Sequence, residues 1–397
     1  MEVQQQLPLA GIRVVELTHM VMGPSAGLIL ADLGADVLKV EPLEGDNTRR
    51  LRGSGAGYFP MYNRNKQSIA LDLKHERGRD IAGQLLERAD VVLENFRPGA
   101  MAKLGFDYAR LAERNPALIY CSMKGFLSGP YAHRTALDEV VQMMGGLAYM
   151  TGLPGRPLRA GSSVIDITGG MFAVIGVLAA LQQRTRTGRG QYVTSSLFET
   201  AAFMVGQHMA QESVLGQEPQ PMSVRQAAWA IYDIFVTRDA EKVFVGVVSD
   251  SQWRTFCAAF KLHSLLEDNA LTTNNGRVEQ RARLLPIIAD TFGHYTKAEL
   301  MEILENSGLP FAPINRPHDL FEDPHLNANG GLVSMTLPDN GQALKLPGLP
   351  LEMAGQRFGL RQDLPAVGEH APQQLRELGY DDAAIEQLVR EQVVRIG

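Results

Sequence analysis

The sequence contains only two cysteines, Cys121 and Cys257, which lie far apart in apolar surroundings. This scarcity excludes a disulfide-stapled scaffold and a cysteine-based metal site. We interpret both residues as reduced core side chains, which indicates a cytoplasmic protein. The start of the chain, MEVQQQLPLAG, also lacks the basic and apolar regions of a secretory signal peptide.

Long apolar runs and blocks of basic residues are missing as well. The longest apolar run, MFAVIGVLAAL, falls short of the ~20 residues that a membrane span requires, so it predicts a buried helix. The formal net charge is −6, and no block of five or six basic residues occurs. These features argue against a nucleic-acid partner and against a membrane partner, and they favour a small-molecule partner.

Residues 11–125 alternate two kinds of segment. The segments IRVVEL, DVLKVE, SIALDL, DVVLEN and LIYCSMKG are short and rich in β-branched residues, and helical patterns such as RGRDIAGQLLERA lie between several of them. This alternation predicts an α/β fold with a doubly wound, Rossmann-like parallel sheet. The first strand is followed by THMVMGPSAG where a dinucleotide-binding protein has G-x-G-x-x-G, so a nicotinamide or flavin function loses its main support.

The second half of the chain predicts a smaller α/β domain. The composition shifts to GQEPQPMSVRQ near residues 216–226, which we interpret as a linker. Further strand and helix patterns follow, and Thr296 and Glu299 are placed to form a capping box. We predict a large domain over residues 1–200, completed by residues 330–397, and a small domain over residues 220–326. The tail is predicted to form two helices that pack on the large domain.

A lone aspartate, Asp166, precedes the paired glycines Gly169 and Gly170 at the start of the apolar helix. It is either a helix cap or a nucleophile, and this stretch alone does not decide between them. Backbone N–H groups at a helix start favour negative charge, so we expect the carboxylate to stay ionised at neutral pH. An ionised carboxylate can attack a thioester, and the two glycines would let an acyl group approach the backbone.

Four segments are distinctive in their order and spacing: YFPMYNRNKQSIALDLK (58–74), ADVVLENFRPGAMAKLGFDY (89–108), the stretch around Asp166, and TGRGQ (187–191). Together they resemble the class III CoA-transferase family, which includes formyl-CoA transferase, carnitine CoA-transferase and α-methylacyl-CoA racemase. The resemblance implies that Asp166 is the nucleophile, that a coenzyme A thioester is the substrate, and that no metal or prosthetic group is needed. It also implies an interlocked homodimer, with each active site formed by the large domain of one subunit and the small domain of the other.

The same resemblance assigns the ligand contacts. The segment ENFRPGAMAKLG corresponds to the CoA-holding stretch of the family, and a nucleotide needs an apolar surface for adenine and cations for its phosphates. The resemblance places His19 and Met22 at the thioester end, where His19 is either a general base or a structural residue. It places Tyr58 near the acyl group. The implied CoA contacts are His19, Val21, Leu71, Lys74, Asn95, Phe96, Arg97, Ala100 and Lys103.

One position favours transfer over racemisation. Racemases of this fold remove the proton α to the thioester with a histidine that directly precedes an aspartate. The corresponding pair here is Leu137 and Asp138, and leucine cannot accept a proton. The predicted activity is therefore CoA transfer from an acyl-CoA to a small carboxylic acid. An acyl-CoA racemase or isomerase and a non-catalytic CoA-binding protein are the alternatives.

The predicted acceptor is a C4–C5 dicarboxylate. The glycine-rich loop of formyl-CoA transferase corresponds here to MSVRQAAWAIYDIF, which has no glycine, and this departure argues against formyl and oxalyl substrates. Arg225 and Gln226 in that segment are expected at the mouth of the site, where an arginine can bind a carboxylate bidentately. An exchange between succinyl-CoA and itaconate, mesaconate or malate would give Arg225 a free carboxylate to bind.

Overall fold

The computed structural model describes residues 7–224 and 227–397. It divides into two compact units, Met1–Ser223 with Pro324–Gly397, and Val224–Asp323. The first part of the larger unit contains the strands β1 (Arg13–Leu17), β2 (Asp36–Glu41), β3 (Lys66–Leu71), β4 (Val91–Glu94), β5 (Ile119–Lys124) and β6 (Tyr192–Ser196). Its helices are α1 (Met22–Asp32), α2 (Tyr58–Tyr62), α3 (Glu76–Glu87), α4 (Ala100–Leu104), α5 (Tyr108–Arg114), α6 (Asp138–Met144), α7 (Leu147–Thr151), α8 (Val164–Thr187) and α9 (Leu197–Leu215).

The smaller unit is an antiparallel sheet with helices. Its strands are β7 (Ile231–Val236), β8 (Lys242–Val247) and β9 (Phe311–Pro313), which pair in that order. The predicted capping box is confirmed, since Thr296 and Glu299 exchange side-chain and backbone hydrogen bonds at the start of the last helix. The helices are α10 (Asp250–Ala259), α11 (His263–Leu266), α12 (Asn274–Glu279), α13 (Arg281–Phe292) and α14 (Lys297–Asn306).

The last part of the chain returns to the larger unit. Side chains of its final two helices, among them Leu375 and Leu388, pack in the same apolar cluster as Ile81 of α3. The elements of this part are α15 (Pro324–Asn327), β10 (Leu332–Thr336), β11 (Ala343–Pro347), β12 (Glu352–Met353), β13 (Gln356–Arg357), α16 (Ala371–Glu377), α17 (Asp382–Arg390) and β14 (Val394–Arg395).

The central sheet of the larger unit has the order β14-β3-β2-β1-β4-β5-β6. Strands β1 to β6 are parallel and β14 runs antiparallel to β3, so the predicted α/β fold with a parallel sheet is confirmed. Both faces are covered: Val14 of β1 joins the apolar cluster that contains Ala26 of α1 and Val177 of α8, whereas Val15 joins the cluster of Ile81. The strand order reverses between β1 and β4, and folds of this type bind ligands at the carboxyl ends of the strands there.

Helix α8 is longer than the apolar run in the sequence indicates. It has 24 residues, and by length and composition alone it could cross a membrane. A core helix of a globular unit meets the same criteria, and Ala173, Val177 and Ala180 are buried in the core cluster beside β1. Packing on the sheet therefore explains why one side of α8 is apolar.

Candidate active site

A cavity of about 210 Å³ lies at the carboxyl ends of β1, β4 and β5, where the strand order reverses. The loop after β1, the residue that follows β4 and the last residue of β5 contribute to its wall, and the first turn of α8 supplies Asp166. The cavity therefore occupies the ligand-binding crevice of a doubly wound sheet. It brings together the sequence-predicted residues His19, Val21, Met22, Tyr58, Asn95, Leu137 and Asp166.

Asp166 lies in the first turn of α8, but a different carboxylate occupies the start of this helix. Asp138 of α6 accepts the backbone N–H groups of Ile165 at 2.9 Å and Asp166 at 3.1 Å through Oδ2. Its Oδ1 accepts a hydrogen bond from Gln142 Nε2 at 2.6 Å. Asp138 thus satisfies N–H groups that have no partner within the helix, and the Asp166 side chain lines the cavity.

This arrangement changes the ionisation of Asp166. Burial raises its pKa to about 7, and the charges of Asp138 and Glu139 act in the same direction. The expectation that the helix start keeps Asp166 ionised is therefore wrong, because Asp138 already binds the N–H groups and adds negative charge. With a pKa near 7, roughly half of the Asp166 carboxyl groups are ionised at neutral pH.

Asn95 holds the loop that carries His19. Its Oδ1 accepts the His19 backbone N–H at 3.0 Å and lies 3.0 Å from the imidazole Nδ1, while its Nδ2 donates to the His19 carbonyl at 2.8 Å. The next residue, Met20, has a left-handed backbone with φ of 63°. Burial lowers the pKa of His19, although Asp46 partly offsets this effect. The imidazole is therefore mostly neutral at pH 7, with Nδ1–H directed to Asn95 and Nε2 left as the acceptor.

The remaining predicted CoA contacts lie outside the lining of this cavity. Phe96 has its ring centroid 5.8 Å from that of His19, and Ala100 begins α4. Leu71 is only 1% exposed and belongs to the core beneath α3, so the structure corrects the prediction that its side chain contacts CoA. Three of the predicted contacts are exposed cations that follow β3 or β4 in the chain: Lys74, Arg97 and Lys103.

Gly169 and Gly170 serve helix packing. A Cβ atom on Gly170 would lie 2.2 Å from Ser25 Oγ, and one on Gly169 would lie 2.8 Å from Met22 Cε. Because α1 fills the space beside both glycines, the prediction that they admit an acyl group is wrong. Their lack of side chains instead allows α8 to approach α1 closely, which fixes the turn that carries Asp166.

Three charged residues of the cavity were missed by the sequence analysis: Lys124, Glu139 and Arg159. Glu139 and Arg159 form an ion pair with each other. Arg159 precedes Asp166 by less than ten residues, but its position in the sequence gives no sign of whether the side chain faces the cavity. Arg225 and Gln226, which were predicted at the mouth, lie outside the described residues.

The fold and the cavity define a doubly wound α/β protein with a carboxyl group of raised pKa at its ligand crevice. The model of the family "CoA-transferase family III" matches residues 9–371, and the chain belongs to this family. It is therefore an enzyme of the CoA-transferase class, which uses CoA thioesters as substrates. The family resemblance found in the sequence is confirmed.

Two relatives and one solved structure illustrate this membership. Succinate–glutarate CoA-transferase of Agrobacterium fabrum is 34% identical over 386 residues, which cover 94% of this chain and 96% of that protein. Formyl-CoA:oxalate CoA-transferase of Streptomyces avermitilis is 34% identical over 397 residues, which cover 94% and 96% of the two chains. A CAIB/BAIF family protein from Brucella suis has a TM-score of 0.82 at 34% identity and covers 94% of this chain and 100% of its own.

Proposed function

We propose that this enzyme transfers CoA from succinyl-CoA to a C4–C5 dicarboxylate, with Asp166 as the nucleophile. The observation that carries the proposal is the position of Asp166 in the cavity, next to a helix start that Asp138 already caps. The 34% identical relative named for succinate and glutarate supports this choice of substrates. The lack of glycine in MSVRQAAWAIYDIF argues against formyl and oxalyl groups, although a relative of equal identity is named for formyl-CoA and oxalate.

The reaction proceeds through covalent steps on one carboxylate. Asp166 attacks the thioester carbonyl of the donor, so that the C–S bond breaks and a mixed anhydride and CoA thiolate form. The thiolate attacks the aspartyl carbonyl and releases the donor acid, which leaves an aspartyl-CoA thioester. The acceptor carboxylate attacks this thioester to form a second anhydride, and the thiolate then takes the acceptor acyl group and regenerates Asp166. Each step uses an activated carbonyl, which is the benefit of covalent catalysis.

The other predicted residues supply binding in this proposal. The phosphates of CoA are bound by the exposed cations Lys74, Arg97 and Lys103, and Phe96 offers an apolar surface for adenine. Leu137 lines the cavity and carries no basic group, which supports transfer over racemisation. Incorporation of deuterium at the α carbon of an acyl-CoA, without any acceptor acid, would favour the racemase alternative.

The proposal is tested by assaying donors against acceptors and by trapping the intermediate. Succinyl-CoA and acetyl-CoA are incubated with a panel of mono- and dicarboxylates, and product acyl-CoA is quantified. We expect transfer from succinyl-CoA to dicarboxylates of four or five carbons. In parallel, protein treated with succinyl-CoA and hydroxylamine is digested and analysed by mass spectrometry, which should find a hydroxamate on Asp166. An unmodified Asp166 in active enzyme would contradict the proposed nucleophile.

The pH dependence of the reaction follows from the environment of Asp166. Since only the carboxylate attacks and its pKa is about 7, kcat/KM should rise with pH through 7 and then level off. Asp138→Asn removes a nearby negative charge and should move the inflection to lower pH. Glu139→Gln should move it less, because the effect of Glu139 is the smaller one. If both variants kept the inflection of the unmodified enzyme, the charges of Asp138 and Glu139 would not be what raises the pKa of Asp166.

We also propose that the active form is a homodimer, interlocked as the family resemblance implies. The helices α8 and α9 carry large apolar side chains at the surface of the single chain, including Phe203, which is 73% exposed, and Val214, which is 81% exposed. Exposed apolar surface of this kind often marks an interface between chains. Light scattering should therefore give twice the mass of one chain, and the mass of a single chain would contradict the proposal.

A further inference from the structure

We infer that Arg159 determines specificity for dicarboxylates by binding the carboxylate group that does not react. This inference rests on the proposed function, because it names the residue that would select the substrate class. Arg159 lines the same cavity as Asp166, and its guanidinium holds the carboxylate of Glu139 in this structure. The cavity thus contains a guanidinium–carboxylate contact beside the proposed nucleophile. A second carboxylate on the substrate would take the place of Glu139 in that contact.

The exposure of the ion pair between Arg159 and Glu139 lowers the cost of exchanging Glu139 for a substrate carboxylate. The side chains of Arg159 and Glu139 are 38% and 57% exposed, and exposed ion pairs of this kind contribute little to stability. Glu139 can therefore move into solvent at little cost when a ligand carboxylate arrives. The planar guanidinium can hold the ligand carboxylate through two parallel hydrogen bonds, which also fixes its orientation.

Among the described residues that line the cavity, the other cation is Lys124, and it is unsuited to this role. Lys124 Nζ lies 2.7 Å from Glu94 Oε1 and donates to the Phe96 carbonyl at 2.9 Å. The Glu94 side chain is only 2% exposed, and it also accepts hydrogen bonds from Ser122 Oγ and the Phe96 backbone N–H. Removing Lys124 from this contact would leave a buried carboxylate without its cation, which is costly. Lys124 therefore stays with Glu94, and Arg159 is the cation that can exchange its partner.

The charge of the cavity makes such a cation necessary. Asp138, Glu139 and Asp166 all contribute carboxyl groups to the lining, so a substrate with a second negative charge is repelled unless a cation is available. Arg159 supplies this cation once Glu139 has moved away. A monocarboxylate of the same length brings no charge to Arg159 and leaves the existing ion pair intact, so the residue discriminates between the two classes.

The test compares two five-carbon acceptors, glutarate and valerate, with succinyl-CoA as the common donor. The ratio of their kcat/KM values reports selectivity, and any effect of a substitution on the donor cancels. We expect Arg159→Gln to lower this ratio about 10- to 100-fold, the range of one charge-assisted hydrogen-bonding contact. Arg159→Lys keeps the charge but lacks the planar guanidinium, so its glutarate-to-valerate ratio should lie between those of the unmodified enzyme and Arg159→Gln. The control Arg156→Gln changes an exposed arginine of the same loop that lies outside the cavity lining, and its ratio should match that of the unmodified enzyme.

A second variant keeps the inference falsifiable if Arg159→Gln does not fold. Glu139→Gln removes the carboxylate that competes for Arg159, so the glutarate-to-valerate ratio should rise several-fold. An unchanged ratio in Arg159→Gln, or in Glu139→Gln if that is the variant that folds, overturns the inference while the proposed function stands. Failure of the unmodified enzyme to use any dicarboxylate would instead overturn the proposed function together with the inference.

Discussion

Replacement of Asp166 by asparagine should lower kcat for CoA transfer by at least roughly 10³-fold, the scale expected when a covalent nucleophile is lost. The side-chain amide has nearly the shape of the carboxyl group but cannot attack the thioester to form an anhydride. The measurement is steady-state transfer from succinyl-CoA to the best acceptor of the panel. Asp166→Ala should show a similar loss, which guards against slow deamidation of the asparagine back to aspartate.

The matched control for this prediction is Asp36→Asn. Asp36 is exposed at the amino end of β2, at the edge of the parallel sheet opposite the cavity, so its amide variant should retain the activity of the unmodified enzyme. Hydroxylamine trapping should label the control at Asp166 and leave both Asp166 variants unlabelled. If Asp166→Ala transferred CoA at a rate within tenfold of the unmodified enzyme, another group would have to form the covalent intermediate.

Much of the sheet could be predicted because buried parallel strands are marked by runs of β-branched residues. The segments IRVVEL and DVLKVE were therefore correctly predicted as β1 and β2. The same logic limits the prediction of individual contacts. Leu71 was assigned to the ligand, but its position as the last residue of β3 places its side chain in the core. Which face a residue lies on depends on its neighbours in space, and a single sequence does not contain this information.

The predicted charge state of Asp166 failed for a related reason. In the local sequence, Asp166 is the acidic residue in the first turn of α8, where backbone N–H groups favour negative charge. The carboxylate that binds the N–H groups of Ile165 and Asp166 comes from Asp138, 28 positions away in the chain. In the sequence, Asp138 draws attention only as the neighbour of Leu137. Burial of Asp166, reinforced by the charge of Asp138, raises its pKa instead of lowering it. Both effects arise from the tertiary structure, and local propensity does not reveal them.

A buried ion network beneath the loop that carries His19 is the basis of the second prediction, which concerns the stability of the fold. Glu16 of β1 has an unexposed carboxylate. Both of its oxygens accept hydrogen bonds from Lys66 Nζ, at 2.9 and 3.0 Å. Lys39 Nζ lies 3.5 Å from Glu16 and donates to the Thr18 carbonyl at 2.8 Å. Lys66 also donates to the carbonyl of Pro24 in α1 at 3.0 Å. The network thus connects three strands to α1 and to the loop that carries His19.

Glu16→Gln should lower the free energy of unfolding by about 3–5 kcal/mol, because it leaves the buried Lys66 ammonium without its carboxylate. Lys39 keeps its own ion pair with Asp46 at 2.9 Å. The amide is close in shape to the carboxyl group, so the effect arises from charge and not from a cavity. Burial already lowers the pKa of Lys66 to about 8, and the Glu16 charge opposes this effect, so Glu16→Gln should lower the pKa of Lys66 further. Urea denaturation followed by circular dichroism measures the change, with the exposed Glu113→Gln as a control that should stay within about 0.5 kcal/mol. A loss below about 1 kcal/mol in Glu16→Gln would contradict the prediction, because it would mean that Lys66 does not need the Glu16 charge for the fold to be stable.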